Sequence, residues 1–270
     1  MTFFHSSTPN GNGLRLTGFP RFCELLDRDF KRFFLTNLLT LLGFLPLITG
    51  ITFAILSSSI LILIPACILG GAIAGPSLAC MYDILFRSFR DAPGKFWEHY
   101  RRAWKQNWRQ AIVPGILFGL LLGFYAFMFM LFWWAETFPS WGTLALYLLS
   151  LMVYTMFFSL YWPQLILFEQ TQIRRLQNCL LFIIQFFWKT IGISFLQILY
   201  WAILILFLPW SLVLLPFIGI WFILFVANFL LYNTINEAFQ IEQQITQSFP
   251  EQAALYEDDE TWLKRKQKEQ

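Results

Sequence analysis

Charge is what this chain has least of. Of 270 residues only 13% are Asp, Glu, Lys or Arg, against about a quarter in ordinary globular domains. Four long stretches, 33–82, 110–135, 137–168 and 190–236, hold no charged residue at all. With 57% of the chain hydrophobic, a single soluble core of this size cannot enclose so much apolar surface. Histidine is scarcer still, with only His5 and His99. The four cysteines, Cys23, Cys67, Cys80 and Cys179, show no CxxC spacing, which argues against a disulfide framework or a zinc site. The first 30 residues lack a separate apolar run followed by a small-residue cleavage site. No secretory leader is therefore expected, and the first span is expected to stay as an anchor.

What is present is apolar sequence in lengths that suit a bilayer. About 20 apolar residues cross the hydrocarbon core as a helix, so the four charge-free stretches hold about six spans. Ser57-Ser58-Ser59, the run "AETFPSWG" (135–142) and "LPWSLVLLP" (208–216) divide them. The expected spans are 33–55, 60–82, 111–134, 142–167, 191–208 and 213–234. The fold class is all-α: a polytopic membrane protein of about six transmembrane helices with cytoplasmic interfacial amphipathic helices. Three parts follow: a basic arm (1–32), a membrane domain (33–236) and a polar tail (237–270).

Orientation follows from the bases. All 19 Lys and Arg lie in the arm, the 83–109 loop, the 169–189 loop or the tail, while the opposite turns carry only Glu136. Under the positive-inside rule both termini and both long loops are cytoplasmic. The tail has an acidic cluster at 257–260 and a basic end, and is expected to be mobile beyond Pro250.

The 83–109 loop contains a candidate membrane anchor. Trp97, Tyr100, Trp104, Trp108 and Ala111 recur at helical spacing, with Lys95, Glu98, Arg101, Arg102, Lys105 and Arg109 on the other faces. A helix over 93–110 with indoles on one side and cations on the other suits the anionic inner leaflet. Its tether to two spans makes lipid the nearer polyanion, so nucleic acid is not an expected partner. Segments 28–39, 105–116 and 185–196 each join an aromatic-basic stretch to an outward-going span, the pattern of three hairpin units.

Chemistry is sparse. HxxxH, GxSxG, P-loop and paired-carboxylate patterns are missing, and a Ser88, His99, Asp83 set has nothing to orient it. The expectation is no enzyme and no cofactor or metal. The spans also lack the Asp, Glu, His or Arg that ion-coupled carriers place within the membrane. Their neutral polar residues, Asn37, Thr40, Gln197 and Asn228, read either as a polar cavity for a neutral solute or as interhelical hydrogen bonds, each about 0.6 kcal/mol. In the second span Ala66, Gly70 and Ala74 on one face, and Gly71, Gly75 and Ala79 on another, recur at four-residue spacings around Pro76. That pattern suits close helix packing with a proline kink, or a hinge.

The run "GPSLACMY" (75–82), followed by the aromatic-basic segment ending in "KQNWRQ" (105–110), resembles the YesL-like family of bacterial membrane proteins. Gly75, Pro76, Ala79, Tyr82, Lys105, Asn107, Trp108 and Arg109 carry the likeness, which is clearest over 30–130. Cys80 and Met81 depart from the family's usual small or apolar residues. The resemblance implies a bacterial plasma-membrane protein associated with carbohydrate uptake, with a sugar ABC transporter permease as partner. The expected role is a non-enzymatic accessory or regulatory subunit. The alternative is a transporter or facilitator for a neutral solute or lipid.

Overall fold

A computed structural model describes residues 14–91, 95–135, 139–168, 170–239 and 257–258. The chain is an all-α membrane protein. Six of its helices are long and apolar enough to cross a membrane: α1 (Gly18–Leu56), α2 (Ile60–Phe89), α3 (Phe96–Trp134), α4 (Trp141–Leu167), α6 (Phe187–Leu206) and α8 (Ile220–Phe239). Two short helices, α5 (Gln172–Gln185) and α7 (Ser211–Ile218), complete the described set. Leu14–Arg15 pairs in parallel with Glu257–Asp258, the only strand pairing among the described residues.

Local chemistry sets the breaks. Ser58 adopts a left-handed backbone (φ 48°) between α1 and α2, and the small serines let the hairpin close over three residues. Ser140 starts α4 by accepting a hydrogen bond from the Thr143 amide at 3.2 Å, a side-chain N-cap.

The spans differ from expectation mainly on the basic side. Within the arm, α1 already begins at Gly18 and continues unbroken for 39 residues, about 58 Å. Likewise the 93–110 segment is not a separate helix in the headgroup plane. From Phe96 it forms the first turns of α3, another 39-residue helix. The reason is that nothing between Trp108 and Pro114 interrupts helical hydrogen bonding, and proline is tolerated in a span whose neighbours support the backbone. Residues 92–94 lie outside the described set.

The exposed Trp108 and Trp133 are 25 residues apart on α3, about 38 Å. That matches a bilayer core with part of its interfaces. Along the helix Trp97 therefore stands about 16 Å beyond Trp108. The three hairpin units are only partly alike, since α1 and α3 run through while the third breaks at Phe186 into α5 and α6.

Helix α2 is the centre. Its most extensive contacts are with α3 and α1, and every residue over 74–91 is buried. Helix α8 closes the bundle on the basic side. Phe225 packs against Phe22, Phe33 and Phe89, and Tyr232 against Phe86 and Phe89. The tail beyond 239 lies outside the described residues apart from Glu257–Asp258.

Candidate functional site

The small residues of α2 bring three helices to backbone contact. A Cβ added at Gly70 would stand 2.5 Å from Leu47 Cα of α1, and one at Gly71 would stand 2.5 Å from Gly115 O of α3. At Gly75 it would reach 2.8 Å from Gly115 Cα, and closer still to Ala111 O. The partners on α3 form their own ladder, Gly115, Gly119 and Gly123, which faces Gly75, Gly71 and Cys67 in turn. Such spacing lets helices approach where side chains would hold them apart. Ala79 and Pro76 are buried in the same helix, which runs on through Pro76 to Phe89. The ladder on α3 is readable as Gly-x-x-x-Gly, but only its register against α2 gives it meaning.

The four candidate polar residues are not gathered around one cavity; each is bonded to a different place. Asn37 closes the break between α7 and α8. Its Nδ2 donates to Leu215 O at 2.8 Å and to Pro216 O at 2.9 Å, while its Oδ1 accepts from the Ile220 and Trp221 amides at 3.0 and 3.3 Å. Tyr200 donates to the Ile218 and Gly219 carbonyls, and Trp221 Nε1 to Phe217 O. The expected span 213–234 is thus two helices hinged at Gly219, with side chains taking the polar groups the break frees. Thr40 donates to Ser77 O at 3.4 Å. Gln197 on α6 exchanges hydrogen bonds with Ser159 on α4, Nε2 to Oγ at 2.8 Å. Beside it Thr155 and Ser194 bond to each other. Asn228 donates to Leu224 O at 2.7 Å within α8.

On the basic side lies an ionic cluster that the separate motifs do not announce. Arg21 reaches Asp91 at 2.5 Å and Glu24 at 2.8 Å. Arg28 bonds both Asp91 and Asp29, the latter at 2.7 Å, and Ser88 donates to Asp29 at 2.5 Å. Burial opposes the charge on Arg28, but Asp29 and Asp91 outweigh it and hold the guanidinium above its ordinary pKa. Asp83 pairs with Arg87 at 2.7 Å. Ser88 and Asp83 are thus each engaged with a residue outside the Ser88, His99, Asp83 set. These contacts tie the start of α1 to the end of α2 across 59 to 70 residues.

The α3 residues of the anchor motif form three faces. His99 and Ala103 point inward, Trp97, Trp104 and Trp108 are exposed, and Arg101, Arg102, Lys105 and Arg109 are exposed beside them. Arg109 lies over the Trp108 ring at 5.2 Å, a cation–π contact. A stronger interfacial helix is α5. Its Arg175, Cys179 and Phe182 are buried, its Ile173, Leu176, Leu180 and Ile184 are exposed, and its Arg174, Gln177 and Gln185 occupy the remaining side. Fourteen residues cover about 21 Å, too short to span. One residue, Phe186, joins α5 to α6, and the outward apolar stripe gives α5 the pattern of a helix that lies along a membrane surface.

Six apolar helices with interfacial extensions define a multi-pass, membrane-embedded α-helical protein. In comparisons with protein-family models, curated proteins and solved structures, nothing matches this chain.

Proposed function

We propose that the chain is a non-enzymatic accessory or regulatory partner of carbohydrate uptake in a bacterial cell membrane, with both termini cytoplasmic. The observation that carries this reading is the use made of the polar residues within the spans. Asn37, Thr40 and Gln197 are occupied as joints between helices, and α1, α2 and α3 meet at backbone distance through glycine. A bundle locked in this way suits a scaffold that presents surfaces to another membrane protein. The resemblance over 30–130 supplies the carbohydrate link and names a sugar ABC transporter permease as the partner.

The broken helix α7–α8 is the feature a carrier would use, since freed backbone groups at a break bind substrates in many transporters. Here Asn37, Tyr200 and Trp221 take those groups, which favours the scaffold. Mild cross-linking in native membranes followed by purification of the tagged chain tests it. A sugar permease is expected to copurify in stoichiometric amount. Recovery of the chain alone after cross-linking would count against the reading.

A further inference from the structure

Arg175 differs from the arginines that carry ion pairs at the α1–α2 end. Arg21, Arg28 and Arg87 each hold a carboxylate. Arg175, with its side chain wholly buried, holds none among the described residues. Its Nη1 donates to Gln172 Oε1 at 3.1 Å, and its Nη2 donates to Gln110 Oε1 and Gln170 O, both at 3.2 Å. The Tyr161 ring lies 5.7 Å from the guanidinium carbon. Among the described residues Nε has no hydrogen-bond partner. A desolvated cation is costly without a counter-charge, and its three acceptors are all neutral oxygens, so none of them balances the charge. Bonds from a guanidinium to an anion are about twice as strong as neutral ones.

Both glutamines that cover Arg175 are exposed. Gln172 Oε1 also accepts from the Tyr161 hydroxyl and its Nε2 donates to Gln110 O at 3.5 Å, so displacing the caps breaks these edge bonds but does not repack the core. Gln110 stands at the basic end of the second charge-free stretch, and Gln172 opens α5. An acceptor arriving there comes from the headgroup level. The outward apolar stripe of α5 lies alongside to receive acyl chains, and Arg174 and Arg109 stand exposed as further cations. Basic pockets between membrane helices on this side of a bundle suit anionic headgroups. We propose that Arg175 is the binding site for the phosphate of an anionic phospholipid, held between α3 and α5, and that Gln110 and Gln172 are its displaceable caps.

The test uses the full chain in neutral detergent, with thermal unfolding and native mass spectrometry after addition of phosphatidylglycerol or phosphatidylcholine. Phosphatidylglycerol is expected to raise Tm and remain bound, and phosphatidylcholine is not. Gln172→Glu places a carboxylate where Oε1 already accepts from Arg175. It is expected to raise Tm in detergent alone and to weaken phosphatidylglycerol binding at least tenfold. Gln177→Glu, the same charge change on the exposed side of α5, is expected to leave selectivity intact, as is Glu169→Gln. Four results would overturn the proposal. They are no lipid selectivity in the parent chain, equal losses in Gln172→Glu and Gln177→Glu, selectivity that emerges only in Glu169→Gln, or the same stabilisation by inorganic phosphate alone.

Discussion

Arg21 and Asp91 stand at the two open ends of the first helical hairpin, and their side chains meet at 2.5 Å with Asp91 fully buried. Arg28 takes the other oxygen of the same carboxylate. One aspartate thus closes the hairpin that α2 shares with α1. Asp91 also has a left-handed backbone (φ 55°), a conformation Asp tolerates better than most residues. Asp91→Asn leaves two guanidinium groups facing a neutral amide. Removing one partner of a buried pair costs about 3–5 kcal/mol, and the expected outcome is a large fall in folded yield and Tm in detergent. Lys95→Gln is the control, because its pairing with Glu98 is long and exposed, and it is expected to change neither.

The glycine contacts separate by position. Gly71→Ala places a methyl group 2.5 Å from Gly115 O, and overpacking of this kind costs about 1–3 kcal/mol. Gly75→Leu is expected to prevent the α2–α3 approach altogether. Gly192 has nothing within 4 Å of an added Cβ, so Gly192→Ala is expected to be neutral or to stabilise by about 0.4–1 kcal/mol. Thermal unfolding of the three variants in one detergent checks the order.

Asn37→Ala removes the side chain that pairs four backbone groups at the α7–α8 break. Each buried group left unpaired costs about 1–3 kcal/mol. The variant is expected to lose most folded protein. Hydrogen exchange is expected to rise first at Ile220 and Trp221, ahead of the rest of α8.

Cysteine reactivity reports the packing of α5. Cys23 is exposed, and Cys67, Cys80 and Cys179 are buried. Burial pushes the Cys179 thiol up to about 12, with Arg175 pulling weakly the other way. A raised thiol pKa keeps the neutral, unreactive form at pH 8. N-ethylmaleimide is expected to add once to the folded chain, at Cys23, and four times after denaturation.

Much of the fold was legible in the sequence because bilayer thickness and charge cost act on composition directly. The six spans, the serine turn at 57–59 and the small-residue stretch of α2 all follow from that. The rest depends on which distant residues meet. Arg21 and Asp91 are unremarkable alone, and their pairing needs α1 to begin at Gly18 rather than at the first apolar residue. Asn37 read as a possible cavity residue because its partner is backbone at a break, and no side-chain pattern marks that break beyond Gly219. Gly115, Gly119 and Gly123 were visible but unassigned until α3 was set against α2. The segment 93–110 read as a separate helix, whereas α3 runs unbroken from Phe96 and carries Trp97 about 16 Å past Trp108. Helix α5, by contrast, is set off from α6 by Phe186 alone, a break that the largely apolar run 179–188 does not mark.

Solute flux through the purified chain alone tests the scaffold reading most directly. The full chain, reconstituted into liposomes that contain phosphatidylglycerol, is assayed for uptake of labelled neutral sugars. Sugar uptake is compared in cells with and without the chain. The expected result is no flux above protein-free vesicles, together with reduced uptake in cells that lack the chain. Saturable sugar counterflow through the purified protein would contradict it.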